Sequence, residues 1–248
     1  MRHAPRVAAM VCLFGLALVP AASGQTINDV PFDKQLKLAK VGDEEAQLAV
    51  GLAYEEGAGV RRDQAEAARW FRQAGLQGNV EAQFHLARIV VTGAEGLKQD
   101  VPTALRLFKA AADKNHPGAM NAYGQMLQKG QGIDPDPAKA ADWYKRASDA
   151  GVADAQNNLG MLYLNGKGVA RDVKEAFRLF ELAAKQGDSW GLNNLGGMYE
   201  TGWGVEKDAE KAIDLYRQSA AKGNEAATAN LKRLVPAEVP PAAAPTTP

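Results

Sequence analysis

Apolar side chains fall three and four residues apart in short runs between residues 42 and 223, and each run stops at a glycine or asparagine before the next begins. In "AQNNLGMLYLNGKGVARDVKEAFRLFELAAKQG", residues 155–187, Ala155, Leu159, Leu162 and Tyr163 share one helical face. Gly166 and Gly168 follow, where left-handed backbone costs little. A second helical run then presents Leu179-Phe180 followed by Ala183-Ala184. The spacing predicts two helices joined by a tight turn.

That unit occurs five times, over residues 42–77, 78–114, 115–150, 151–186 and 187–223, with successive starts 36, 37, 36 and 36 residues apart. The turn glycines return as Gly57/Gly59, Gly93/Gly96, Gly130/Gly132 and Gly202/Gly204. An aspartate recurs at Asp63, Asp100, Asp136, Asp172 and Asp208, where its carboxylate can accept orphan amide hydrogens at the start of the second helix. Pro102 and Pro137 fall in the first turn after such a cap, where a missing amide hydrogen costs least. The second helices carry the pairs Trp70-Phe71, Leu107-Phe108, Trp143-Tyr144, Leu179-Phe180 and Leu215-Tyr216, and Trp70 and Trp143 are expected in the core. One helix pair cannot hide both of its faces, so the units must stack. The expected fold is all-α, a solenoid of five helix-turn-helix units. Residues 25–41 would form a linker and N-terminal cap helix, and residues 224–235 a C-terminal cap helix.

The flanks carry different signals. Residues 1–24 combine Arg2 and Arg6, an apolar run from Val7 to Val19 and the small residues Ala22-Ser23-Gly24, which is the layout of a secretory signal peptide. The run is too short to span a bilayer comfortably. The chain is therefore expected to be exported, periplasmic or secreted, with a mature start near Gln25 and no membrane insertion. Cys12 is the single cysteine, so the mature chain would hold no disulfide, thiol nucleophile or cysteine metal ligand. Residues 236–248, "PAEVPPAAAPTTP", are expected to be a disordered tail. With 29 basic and 29 acidic residues there is no basic field for nucleic acid or an anionic membrane.

The recurring motif is G-x-x-x-A-Q-x-x-L-G-x-x-Y-x-x-G-x-G-V, then D, K-A, W/L-Y/F, A-A and G. The fourth unit carries nearly all of it, in Gly151, Ala155, Gln156, Leu159, Gly160, Tyr163, Gly166, Gly168, Val169, Asp172, Ala176, Phe180 and Ala184. In these residues the chain resembles the Sel-one-like repeat (SLR) family, a relative of the tetratricopeptide repeat. The second unit departs at Leu86-Ala87 and Val90, and the fifth at Gly191-Leu192, behind Trp190. The resemblance implies a right-handed α-α superhelix whose first helices line a concave groove. In bacteria it implies a periplasmic scaffold, assembly factor or signalling regulator that holds other proteins.

Helical spacing places Asp154, Asn157, Asn158, Met161 and Asn165 on one face of a first helix. Asn121, Asn157 and Asn193 would form a ladder with one rung per unit, and amides that both donate and accept suit a peptide backbone or terminal carboxylate. Asn158 and Asn194 take a position where, by the resemblance, carboxylate clamps also use asparagine; the alternative is that they tie adjacent units together. Trp190 and Trp203 stand where the motif does not ask for tryptophan. Each is either a binding anchor or a cover for the C-terminal cap helix. Glu45, Glu55, Glu56 and Glu81 against Lys129 suggest a polarised groove or a solvated face.

Catalytic chemistry finds little support. Ser219-Ala220-Ala221-Lys222 matches the S-x-x-K of serine β-lactamases, yet neither S-D-N nor K-T-G accompanies it and Ser219 stands where the fourth unit has Ala183. His85 and His116 lack the close spacing of a helical metal site and suit packing or a helix start. The expectation is a non-catalytic scaffold for a peptide or partner protein, without cofactor or metal. The alternative is a cell-wall related or β-lactam-binding repeat enzyme.

Overall fold

The computed structural model describes residues 26–235. The expected signal segment with Cys12, the cleavage point before Gln25 and the tail 236–248 lie outside the described residues. A 3-10 turn, Ile27–Asp29, leads into α1 (Phe32–Lys40). Five antiparallel pairs follow: α2 (Glu44–Glu56) with α3 (Gln64–Gln77), α4 (Val80–Thr92) with α5 (Val101–Asp113), α6 (Pro117–Lys129) with α7 (Pro137–Asp149), α8 (Ala153–Asn165) with α9 (Val173–Lys185), and α10 (Ser189–Thr201) with α11 (Ala209–Ala221). A last helix, α12 (Glu225–Leu234), packs on α11. Among the described residues there is no strand, only an isolated bridge between Ala94 and Leu97 in the longest turn. The fold is the expected all-helical solenoid.

Each turn is held by its aspartate in two directions. The carboxylate of Asp172 accepts from the amides of Lys174 and Glu175 at the start of α9, and the Asp172 amide donates to the Tyr163 carbonyl of α8, 3.0 Å away. Asp63, Asp100, Asp136 and Asp208 repeat both contacts, their amides donating to Tyr54, Val90, Leu127 and Tyr199. One residue type at one position therefore starts the second helix and fixes its angle to the first.

The two helices of a pair close on a glycine. A Cβ at Gly160 would sit 2.7 Å from Phe180 Cε1; the same conflict would arise between Gly51 and Phe71, Gly124 and Tyr144, and Gly196 and Tyr216. Each slot admits the second member of the aromatic pair, and Phe71, Tyr144, Phe180 and Tyr216 are buried. Burying one such ring contributes about 1.5–3 kcal/mol. Adjacent residues on a helix point about 100° apart, so the first member cannot share the slot. Trp70 and Trp143, expected in the core, are half-buried on its rim, whereas the smaller Leu179 and Leu215 at the same position are buried.

The eighth position of α2, α4, α6, α8 and α10 holds Gly51, Ala87, Gly124, Gly160 and Gly196; in α12 it holds the exposed Lys232. In α12 the position that receives a ring in the pairs carries a long charged side chain that faces solvent. Between pairs, side chains of successive first helices bond to one another, Glu55 of α2 with His85 of α4, Glu81 of α4 with His116 at the start of α6, Asn158 of α8 with Asn121 of α6 and Asn194 of α10 with Asn157 of α8, and no such bond joins successive second helices among the described residues. The first helices thus lie on the inside of the curve.

Candidate binding groove on the inner face

The inner face is organised by a chain of side-chain amides. Asn158 Nδ2 donates to Asn121 Oδ1 at 3.0 Å, Asn194 Nδ2 to Asn157 Oδ1 at 2.7 Å, and Asn230 Nδ2 to Asn193 Oδ1 at 3.1 Å. Every bond joins residues 37 apart, one more than the 36-residue spacing of these units. The ladder is therefore diagonal: the sixth residue of one first helix meets the fifth of the one before. Asn121, Asn157 and Asn193, expected to face a partner, are only 7%, 9% and 9% exposed, with their carbonyl oxygens inside the contacts between units. Asn158 and Asn194, expected either to touch a ligand or to tie units together, make the ties and remain half-buried. Asn230, which supplies the last rung from the cap helix, is not among the residues that the motif singles out. Its signal is the 36-residue step from Asn194. The amide nitrogens of Asn121 and Asn157 and the Oδ1 of Asn158 make no hydrogen bond among the described residues, and none of them is fully enclosed.

The joint between the first and second units, with Leu48 and His85 at these two positions, has no amide rung, and the ladder begins only after the joint between the second and third units. There the fifth residue of α4 is Phe84 and the sixth of α6 is Ala122, so no amide rung forms. A groove of about 550 Å³ opens at this joint, lined by Phe84, Val91, Ala122 and Met126, with Glu55, Arg88, Asn121, Gln125 and Asp154 among its polar residues. Gly118 keeps its floor low, since a Cβ there would lie 2.8 Å from Phe84 Cζ. The Arg88 guanidinium stands 5.7 Å from the centre of the Phe84 ring. The groove thus joins an apolar floor to donors and acceptors on both sides.

Two members of the acidic cluster at the N-terminal end, Glu55 and Glu81, are engaged. Glu55 Oε2 lies 2.7 Å from His85 Nδ1, His85 Nε2 lies 3.3 Å from Glu81 Oε1, and Glu81 Oε2 lies 2.9 Å from His116 Nε2. The hydrogen bond from His85 holds the Glu55 carboxyl below its ordinary range, against the opposing effect of burial and with help from the charges of His85 and Arg88. His116 starts α6, its Nδ1 accepting the Ala119 amide at 3.0 Å, and its ring packs 4.4 Å from Phe84. Both histidines therefore serve packing, and one of them a helix start.

The tryptophans stand apart from the groove. Trp190 opens α10 and is 53% exposed; Trp203, in the turn after α10, is 49% exposed, with Arg171 5.7 Å from its ring. Neither belongs to the apolar cluster that seats Leu231 and Leu234 of the cap helix. They lie at opposite ends of a 13-residue helix, about 20 Å apart at 1.5 Å per residue, and so form two separate surfaces. Ser219 is fully buried, and its Oγ donates to the Ser189 carbonyl at 2.6 Å, where Asn224 Nδ2 also donates at 3.2 Å. A hydroxyl so placed has no route to a carbonyl substrate. Among the described residues no group of three His, Cys, Asp or Glu is arranged to hold a metal ion, and no helix is long and apolar enough to cross a membrane.

The Sel1 repeat family matches residues 44–79, 80–116, 117–152, 153–188 and 191–224. No curated protein matches the chain. Among solved structures, a protective antigen of uropathogenic Escherichia coli with an SLR fold is 30% identical, with a TM-score of 0.72 over 84% of this chain and 44% of its own. A Sel1 repeat protein from Oxalobacter formigenes is 27% identical, with a TM-score of 0.72 over 84% of this chain and 88% of its own. An immunity protein from Pseudomonas aeruginosa, 23% identical, shares the fold with a TM-score of 0.52 over 85% of this chain and 73% of its own. The chain thus spans less than half the length of the Escherichia coli antigen.

Proposed function

Because the chain belongs to the Sel1 repeat family, whose members generally mediate protein–protein contacts, we propose that it is a non-catalytic scaffold whose inner groove holds an extended segment of a partner protein. The joint without a rung at Phe84 and Ala122 carries this reading. From Asn121 to Asn230 the amides of neighbouring first helices meet one another, and in the first joint His85 is held by Glu55 and Glu81. Between Phe84 and Ala122 no amides meet, and an apolar floor is left beside Arg88, Asn121 and Gln125. An extended peptide would place one apolar side chain on that floor, and its backbone would reach the amide nitrogens of Asn121 and Asn157. Trp190 and Trp203 would act as further, separate anchors. We place the protein in the periplasm or outside the cell, a reading supported by the composition of residues 1–24.

Two variants and a fractionation test the proposal. Ala122→Arg fills the groove with a long charged side chain at a half-buried position, without touching a ladder bond. Proteins that co-purify with the wild type from a periplasmic extract, quantified by mass spectrometry, should be lost from Ala122→Arg while its melting temperature stays close to wild type. Trp190→Ala should lose a subset of the same proteins. Retention of every partner by Ala122→Arg would show that the groove is not the docking surface. N-terminal sequencing of the mature protein should begin at or near Gln25, and an intact Met1 would overturn the export assignment.

A further inference from the structure

The first helices are capped by side-chain oxygens at Asp43, Asn79, Asp188 and Asn224, while α8 begins at Val152 without a side-chain cap. Only α6 is capped by an imidazole, that of His116. The Ala119 amide can only donate, so Nδ1 of His116 must present its lone pair, and the ring hydrogen must be on Nε2, where it is donated to Glu81. We propose that His116 is a protonation-sensitive helix cap, which holds α6 to α4 when its ring is neutral and releases the first turn of α6 when the ring gains a proton.

The geometry leaves the ring nowhere to turn. Phe84 packs on one face with 4.4 Å between ring centres, and a Cβ at Gly118 would lie only 3.3 Å from His116 Cε1. A proton added to Nδ1 therefore points at the Ala119 N–H, donor against donor. It also puts positive charge at the positive end of a helix.

The surrounding charges set the balance. From α4, Glu81 faces Nε2 directly, His85 shares that carboxylate, and Arg88 lies one turn beyond; Glu55 of α2 stands behind His85. From α5, Asp113 is paired with Lys109 and Lys114 is bonded to the Gly78 carbonyl; from α7, Arg146 reaches Asn115, next to the ring. On α8, Asp154 borders the same groove as Gly118. Glu81 would favour an imidazolium, but its carboxylate is 48% exposed and already accepts a hydrogen bond from the neutral ring. With the His116 side chain 13% exposed and the Glu81 carboxylate open to water, such a pair is worth about fivefold in an equilibrium. A lost cap is worth about tenfold, and the clash of donors adds to it. The cap is thus made by the neutral ring and lost from the protonated one.

Two measurements test this on the full chain. Nitrogen-15 shifts of the His116 ring at pH 7.5 should show the Nε2–H tautomer. Protection of the Ala119 amide from hydrogen exchange, corrected for intrinsic rates, should fall about tenfold between pH 7.5 and 5 in the wild type. It should stay level in His116→Asn, which supplies a cap oxygen as Asn79 and Asn224 do. An Nδ1–H tautomer in the wild type, or the same pH dependence of Ala119 in both proteins, would overturn the proposal. The tautomer measurement needs no variant and stands even if His116→Asn fails to fold.

Discussion

Gln83 supplies a test in which the repeats serve as one another's controls. The consensus glutamine, present in the first, second and fourth units as Gln47, Gln83 and Gln156, sits near the end of the preceding helix, where its Nε2 can donate: Gln47 to Ala39 O at 3.2 Å and Gln83 to Gly75 O at 2.8 Å. The other end of the amide needs a donor. Gln77 Nε2 gives one to Gln47 Oε1 at 2.8 Å, and Gln186 Nε2 gives one to Gln156 Oε1 at 2.8 Å. In the second unit the equivalent of Gln77 and Gln186 is Lys114, whose Nζ turns instead to the Gly78 carbonyl at 3.1 Å. Gln83 Oε1 is consequently enclosed without a partner, the only such side-chain atom among the described residues.

Lys114→Gln should therefore stabilise the protein. The backbone at Lys114, φ −89° and ψ 15°, is close to that at Gln186, φ −84° and ψ −1°, so the donor geometry of the fourth unit can be copied. An enclosed acceptor without a partner costs about 1–3 kcal/mol. The hydrogen bond from Lys114 to the Gly78 carbonyl is exposed, and Gln77 shows that glutamine can make its equivalent, with Gly42 O, at 3.1 Å. The expected gain is about 1 kcal/mol, or roughly 2–4 °C in melting temperature for a chain of this size. Urea unfolding should show a higher midpoint at unchanged slope. Lys114→Met, which removes the charge but supplies no donor, separates the hydrogen bond from the electrostatics. If Lys114→Gln is no more stable than Lys114→Met, the unpartnered oxygen is not what limits this joint.

Two further substitutions probe the repeat. Gly160→Ala brings a Cβ to 2.7 Å from Phe180 Cε1; overpacking of about 1–3 kcal/mol should outweigh the helix-propensity gain of up to about 1 kcal/mol, and the loss, read by urea unfolding, should shrink when Phe180→Leu is added. Asp188 caps α10 while half-buried, and burial raises its carboxyl above the ordinary range, with Asp154 adding to the rise and the Gly191 amide opposing it. A carboxylate with a raised folded-state value costs stability at neutral pH, and that cost disappears as pH falls below its titration. Asp188→Asn, with Asn79 and Asn224 as precedents for an amide cap, should therefore melt higher than wild type at pH 7 and at the same temperature near pH 3.

The fold was legible because each of its devices has a local cause. A glycine with positive φ ends the first helix, as at Gly166 (φ 65°), and an aspartate starts the second, so turn and cap are both written as single residues. The period does the rest, since a unit that cannot hide its own apolar faces must stack. Packing inside a pair was less legible. In Trp143-Tyr144 both members look like core residues, and only the direction of the Gly124 slot selects Tyr144 and leaves Trp143 on the rim.

The groove was the least legible feature, for a geometric reason. Aligning equivalent positions puts Asn157 opposite Asn121 and Asn193, whereas stacking shifts each first helix by one residue and brings Asn158 to Asn121 and Asn194 to Asn157. A fifth-position asparagine therefore has a partner only if the next unit has a sixth-position asparagine. Asn121 and Asn157 meet that condition through Asn158 and Asn194, and Asn193 meets it through Asn230 of the cap helix. Phe84 does not, because Ala122 follows it. The asparagines that looked like a ligand ladder are thus the closed part of the inner face. The opening lies one unit earlier, where the shifted register pairs a phenylalanine with an alanine.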